Sequence, residues 1–220
     1  MSEHIIIVQA GQSRRLLTAG KYCDRDIVVT AQGGGGEDPL RIFLEGSITA
    51  IDSNADKIVD SGCRSLKNLA SVNLPESIVI GSYAFYGCNA LTYVNIPKAT
   101  TVNSYAFYNC SSLEEISLPL ASTIPTSCFS QCVKLKKLDL GAAASIGGNG
   151  LSYCTNLETI ILRKTNGVAT LNSTSLSNAN FDGYVYVPKA LLDGYKTAVN
   201  WATHADRIRA IEDYPEICGN

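Results

Sequence analysis

Histidine, tryptophan and methionine are nearly missing from this chain of 220 residues, which holds two, one and one of them. His4 stands near one end and His204 near the other, so no paired acid-base site built on imidazole is expected. An excess of one charge is missing too. Eighteen basic residues against twenty acidic ones leave a net charge of -2, which gives no broad basic field to condense on phosphate backbones or anionic lipid. The basic cluster Lys134, Lys136 and Lys137 is too small to alter that, and nucleic acid is excluded as a partner. No apolar stretch approaches the ~20 residues of a membrane-spanning helix. Near the start the longest such run is Ile5 to Val8, preceded by Glu3 and His4, too short for a signal-peptide core and without a basic leader. Neither membrane insertion nor a secretory signal is therefore expected. What is present, 45% apolar and 17% charged residues, is the composition of an ordered globular chain.

Cysteine is the exception to this scarcity, and its spacing says more than its number. Cys88, Cys110, Cys132 and Cys154 fall 22 residues apart. In that frame Cys88, Leu91, Val94, Ile96 and Pro97 correspond to Cys110, Leu113, Ile116, Leu118 and Pro119. Cys132, Leu135, Leu138 and Leu140 repeat it, as do Cys154, Leu157, Ile160 and Leu162, and Leu66, Leu69, Val72, Leu74 and Pro75 precede them in the same register. The other half of the unit is periodic as well: Ile58, Ile80, Val102, Ile124 and Ile146 make one column, and Cys63, Phe85, Phe107, Phe129 and Leu151 another. A unit this short cannot enclose a core alone and must stack on its neighbours, which is the signature of a solenoid. Around Val94 and Ile96 the pattern alternates at period two, so it reads as a short strand with Tyr93 and Asn95 facing outward, ended by its proline. Stacked units pair these strands in parallel at about 4.8 Å. The segment Ser-Tyr-Ala-Phe-Tyr-x-Cys turns back across the opposite face.

These units resemble the BspA-type leucine-rich repeats, which run approximately Ile-x-x-x-Ala-Phe-x-x-Cys-x-x-Leu-x-x-Ile-x-Leu-Pro. The copies around Phe85 and Phe107 are close; Leu151 in place of phenylalanine, and Gly141 and Arg163 in place of proline, depart from it. The resemblance implies an α/β-type solenoid, a right-handed leucine-rich repeat stack with parallel strands. On this reading residues 1-32 form a small N-terminal β unit, carrying the strand-like runs Ile5 to Val8 and Asp26 to Thr30. Residues 33-39, with Gly33 to Gly36, form a flexible link. Residues 40-188 form the solenoid, with core copies at about 54-163. After Leu162 the register slips, and the strand Tyr184 to Val187 arrives three residues late, as in a terminal unit. Ala190, Leu191, Leu192, Tyr195, Ala198, Val199 and Ile208 lie at helical spacing, so one or two helices are expected within a C-terminal helical cap, residues 189-220. The resemblance extends to this cap through Tyr-Val-Pro and Trp201. The segment Thr18 to Ala31 resembles short modules of bacteriophage and prophage tail proteins.

Catalytic chemistry finds little to work with. A cysteine nucleophile needs a base, and the ladder cysteines occupy buried repeat positions in units without histidine. They read as inert thiols behaving as small hydrophobes. Zinc wants four convergent ligands, whereas only Cys128 and Cys132 are close, so no metal or other cofactor is expected. Cys23 and Cys218 lie outside the ladder, and the sequence does not decide between free thiols, a disulfide joining them and a disulfide to a partner chain. The glycine run is followed by Glu37-Asp38-Pro39 rather than by Gly-Lys-Ser/Thr, so it is a linker and not a phosphate cradle.

Binding is the function left. The outward positions of the predicted sheet are Ser71, Asn73, Tyr93, Asn95, Glu115, Ser117, Lys137, Asp139, Thr159 and Ile161, which the buried pattern does not dictate, and Tyr93 with Ile161 are candidate apolar anchors. Lateral pairing of Glu114 and Glu115 with Lys136 and Lys137 would account for those charges without a ligand. On the other face Tyr83 with Tyr105, and Tyr86 with Tyr108, make aromatic steps suited either to stacking on a sugar or partner, or to stacking on each other. The expected protein is a non-enzymatic adhesion or binding module for a protein or glycan. Its setting is a phage or prophage tail, with residues 1-32 engaging other tail or surface proteins, or a bacterial cell surface. The alternative is a virion or assembly component whose solenoid forms homo-oligomers.

Overall fold

The computed structural model describes residues 50–52 and 57–218, together with the backbone of a two-residue strand at His4–Ile5. The rest of the N-terminal unit, the glycine link and Cys23 lie outside the described residues. The repeated Leu-x-x-Val-x-Leu segments form the strands Ser71–Asn73, Tyr93–Asn95, Glu115–Leu118, Lys137–Leu140 and Thr159–Leu162. They make up the front face, and all strand pairing among the described residues is parallel. Val72 sits opposite Val94, and Ile116, Leu138 and Ile160 sit opposite one another in turn. Tyr184–Val187 continues the face with Ile160 opposite Val185, so the late strand keeps its place on the next rung. At the other end Ala50–Asp52 pairs with Ser71–Asn73, and His4–Ile5 pairs with Ala50 and Ile51. The coils stack into a β-solenoid of about seven turns.

Apolar columns fill the interior. Ile58, Ile80, Val102, Ile124 and Ile146 are buried, as are Leu69, Leu91, Leu113, Leu135 and Leu157. Phe85, Phe107 and Phe129 stack ring on ring, with centroids 5.3 Å apart at both steps. The back of each coil is a run of turns bonded to the next coil through its main chain: Phe85 N–H donates to the Ala106 carbonyl at 2.8 Å and Phe107 N–H to that of Cys128 at 3.0 Å. Two residues per coil hold this run in the left-handed region. One column is Ser61, Tyr83, Tyr105, Ser127 and Asn149, with φ from 53 to 61°. The other is Ser65, Gly87, Asn109, Gln131 and Tyr153, with φ from 56 to 70°. Side chains other than glycine are strained there, and the recurrence every 22 residues shows that the coil geometry imposes it.

The departures from the family pattern lengthen the strands. Proline has no N–H to give a ladder, whereas Gly141 N–H donates to the Leu118 carbonyl at 3.2 Å and Arg163 N–H to that of Leu140 at 2.8 Å. The strands at 115–118, 137–140 and 159–162 accordingly run four residues, against three at 71–73 and 93–95.

The C-terminal cap corrects the sequence reading in one respect. Its helical parts are short: a 3-10 turn at Lys189–Leu191, an α-helix at Leu192–Thr197 and a 3-10 stretch at Ala202–Arg207. Ile208, placed on a helix by its spacing, instead starts the strand Ile208–Ala210, which pairs in parallel with Val185 to Val187 and becomes the edge of the front face. A strand this short shares its apolar spacing with a helix, and only the free sheet edge beside it decides between them. Trp201 and Tyr195 are fully buried beneath the cap; the indole N–H donates to the Ala169 carbonyl at 2.6 Å, and the Tyr195 hydroxyl accepts from Ala169 N–H at 2.9 Å.

Candidate functional site

The front face divides into an open half and a covered half. In the open half Tyr93, Glu115 and Ser117 are exposed, with Ser71, Asn73 and Asn95 half-buried. Asn95 Nδ2 donates to Asn73 Oδ1 at 2.7 Å, a side-chain rung between neighbouring coils. Tyr93 is 55% exposed. Beside it the sheet is interrupted: among the described residues no backbone ladder joins Tyr93–Asn95 to Glu115–Leu118, and the front strands fall into two hydrogen-bonded sheets at that line. One coil on, Lys137 N–H donates to the Glu114 carbonyl at 3.2 Å, whereas Glu115 N–H makes no matching bond to Thr92. A shallow slot of about 510 Å³ lies over the gap. Tyr93, Val94, Glu115, Ile116, Ser117, Lys137 and Asp139 are among the residues that line it. Val94 is only half-buried, unlike its counterparts Val72, Ile116 and Leu138.

The lateral charge pairs form in part. Lys136 Nζ meets Glu114 Oε2 at 2.8 Å, both side chains being about half exposed. Lys137 turns away from Glu115 and donates to the Ile217 carbonyl at 2.9 Å. Glu115 is therefore exposed on the slot and enters none of the ion pairs among the described residues. Asp139 takes both arms of Arg163 at 2.8 Å. That arginine replaces the family proline, so the exchange that lengthens the strand also supplies a cation to the face.

The covered half overturns one expectation. Ile161 does point outward from the sheet, yet it is 0% exposed and is no surface anchor. The C-terminal segment lies over it, packing Ile211, Tyr214 and Ile217 against Ile161, Tyr186 and Cys218. Lys137, Asp139 and Thr159 are half-buried along this boundary. A sequence signal existed: outward positions change from Ser71, Asn73, Asn95 and Ser117 to Ile161 and Tyr186, an apolar drift that calls for a cover.

The aromatic patch packs on itself. Tyr83 and Tyr105 stack at 4.8 Å and 2°, Tyr86 and Tyr108 at 4.8 Å and 4°. The Arg64 guanidinium sits 4.7 Å from the Tyr86 ring at one end, and Gln131 Nε2 donates to the Tyr108 hydroxyl at 2.8 Å at the other. All four rings are half-buried, and both ends of the row are capped by the protein's own side chains.

The ladder thiols are structural donors. Each reaches back to the preceding coil, Cys88 Sγ–H to the Cys63 carbonyl at 3.1 Å, Cys110 to Phe85 at 3.2 Å, Cys132 to Phe107 at 3.1 Å and Cys154 to Phe129 at 3.1 Å. Burial pushes Cys88 and Cys154 up to about 12, and Cys110 and Cys132 well above the ordinary thiol range. At neutral pH they are uncharged and poor nucleophiles. Among the described residues no three His, Cys, Asp or Glu side chains gather as metal ligands, and no helix is long and apolar enough to cross a membrane.

Against known proteins, residues 56–182 match a BspA type leucine rich repeat region in six copies. The chain belongs to the BspA-type leucine-rich repeat family. A search of curated proteins finds no match. Among solved structures, this BspA-type repeat protein is similar to the T. pallidum leucine rich repeat protein, with a TM-score of 0.51 and 18% identity over 70% of this chain and 84% of that one. It is also similar to a leucine rich cell surface protein from Faecalibacterium prausnitzii, with a TM-score of 0.51 and 18% identity over 86% of this chain. It spans 64% of the length of that protein. These likenesses support the fold.

Proposed function

We propose that this BspA-type chain is a non-enzymatic, protein-binding adhesion module whose contact surface is the open half of the front face, centred on the slot beside Tyr93. The observation that carries the reading is the interrupted ladder. Backbone N–H and C=O groups are rarely left without partners away from water, and here the edges of two strands that no ladder joins meet at a slot lined by an exposed aromatic ring and by the carboxylate of Glu115, which enters none of the ion pairs among the described residues. Main-chain donors and acceptors beside an aromatic anchor are the elements of a small binding hot spot. The buried, uncharged thiols support a role without covalent chemistry. The cell surface named for the Faecalibacterium prausnitzii protein supports a surface setting. A bacterial cell surface or a phage tail is the setting we propose, with a protein rather than a glycan as partner.

Flow cytometry with the fluorescently labelled chain on bacterial and epithelial cells tests this. Saturable binding should fall at least tenfold in the double variant Tyr93→Ala, Glu115→Lys, and stay unchanged in Val133→Ser, another exposed apolar position. Prior deglycosylation of the cells should leave binding intact. Full binding by the double variant, with an unchanged melting temperature, would remove the slot as the contact surface.

A further inference from the structure

The segment Ile211–Cys218 does not extend the stack. It leaves the edge strand Ile208–Ala210 and returns across the face, meeting Tyr186, Ile161 and Lys137 on three earlier strands. Tyr214 meets Tyr186 edge to face at 5.4 Å, and Ile211 and Ile217 pack against the cluster of Ile161, Tyr186 and Cys218. The backbone hydrogen bonds of the segment are its own, such as Tyr214 N–H to the Ile211 carbonyl and Cys218 N–H to the Tyr214 carbonyl. At its far end it is held by side chains reaching up, Lys137 Nζ donating to the Ile217 carbonyl and Arg163 Nη2 to that of Cys218, and at its near end by its own carboxylates, Glu212 accepting from Lys189 N–H at 2.9 Å and Asp213 from Lys189 Nζ at 3.1 Å. The last carbonyls of a helix have no partner within it and favour a cation, and the short helix Pro215–Cys218 ends on these two. This is the chemistry of a bound peptide, with an apolar floor, one aromatic contact and two cations on main-chain carbonyls, and it differs from the columns that build the coils.

We propose that the covered half of the front face is a docking site for a short helical peptide, which the chain fills with its own residues Ile211–Cys218 and which a partner segment of the same chemistry takes over. Such a segment carries an aromatic residue in the place of Tyr214, an aliphatic one three positions on and free carbonyls at its helix end. Lys137 and Arg163 read main chain and leave the helix end free in sequence, while Lys189 favours acidic residues in the places of Glu212 and Asp213. Release of the segment joins Ile161 and Tyr186 to the open slot as one surface.

Cys218, the last residue of the segment and 4% exposed where it faces the sheet, reports that release. The full chain is treated with iodoacetamide at fixed pH, and each cysteine is followed by peptide mass mapping. Local opening predicts that Cys218 is labelled at least a hundredfold faster than Cys88, Cys110, Cys132 and Cys154. Arg163→Ala and, independently, Tyr214→Ala should speed it a further tenfold or more with the ladder thiols unchanged. A synthetic peptide of residues 211–218 carrying Cys218→Ser should raise the Cys218 rate in proportion to its concentration, by trapping the vacated face, while the same peptide with alanine at the Tyr214 and Ile217 positions should not. Labelling of Cys218 in step with the ladder thiols would make the segment an integral part of the fold, and no response to the peptide would mean that the face accepts none; either overturns the proposal. Neither outcome touches cell binding through the Tyr93 slot.

Discussion

Phe107→Ala probes the stack where it is most continuous. The ring is fully buried and lies between Phe85 and Phe129 with interplanar angles of 15° and 7°. Truncating a buried phenylalanine costs about 3–5 kcal/mol through lost transfer energy and the cavity left behind. Two ring pairs disappear, each contributing roughly 0.5–1.5 kcal/mol beyond area burial, so the loss should sit in the upper half of that range, at about 4 kcal/mol. Collapse offers little relief, because the neighbouring coils are tied to this one by main-chain bonds on either side of the ring. In urea, with a slope of about 2 kcal/mol/M, the midpoint followed by far-UV circular dichroism should fall by about 2 M. Phe107→Leu copies what the chain itself does at Leu151 and should cost less than about 1.5 kcal/mol. A midpoint shift below about 0.5 M for the alanine variant, at an unchanged slope, would refute a stacked phenylalanine column.

Other consequences follow from single features. Ser65 has φ of 62° in the column where Gly87 has φ of 70°, so Ser65→Gly should relieve strain and raise stability by roughly 0.5–1 kcal/mol in the same urea assay. A methyl group at Gly141 would stand 1.9 Å from the Pro119 carbonyl oxygen; Gly141→Ala should therefore push two coils apart and lower stability by about 3 kcal/mol. Burial raises the ladder thiols in the folded chain, so they ionise only on unfolding: stability is complete below the ordinary thiol value of about 8.5 and falls as pH rises from there towards 12. Urea midpoints should drop between pH 9 and 11 by roughly 1.4 kcal/mol per thiol per pH unit, and Cys110→Ala should make the slope shallower. Hydrogen exchange followed by NMR should find the amide of Glu115 faster than that of Lys137, since only the latter is bonded across to the preceding coil.

The buried columns were legible because burial repeats. Ile58 and its successors, the phenylalanines and the leucines at 91, 113 and 135 are apolar in every unit, and each is found inside the stack. The site was legible only in outline. Tyr93 and Glu115 stand exposed at the slot as outward positions, but the break in the ladder beside them comes from spacing between strands, which no residue type encodes. The cover on Ile161 depends on a contact between residues about 50 positions apart, beyond the reach of periodicity. The left-handed columns escaped for another reason: tyrosine, serine and glutamine are poor indicators of positive φ, and only Gly87, Asn109 and Asn149 in these columns hinted at it. The thiol bonds to preceding carbonyls likewise need three-dimensional register before they can be seen.

All of these consequences require that residues 22 positions apart be neighbours on adjacent coils. Carbodiimide cross-linking with mass spectrometry tests that directly, because two exposed ion pairs mark the register, Glu76 with Lys98 at 2.6 Å and Glu114 with Lys136 at 2.8 Å. Zero-length amide links should appear at Glu76–Lys98 and Glu114–Lys136 in the native chain and vanish in urea. Links from these glutamates to lysines at other spacings, with neither 22-residue link present, would contradict the stack and the surfaces built on it.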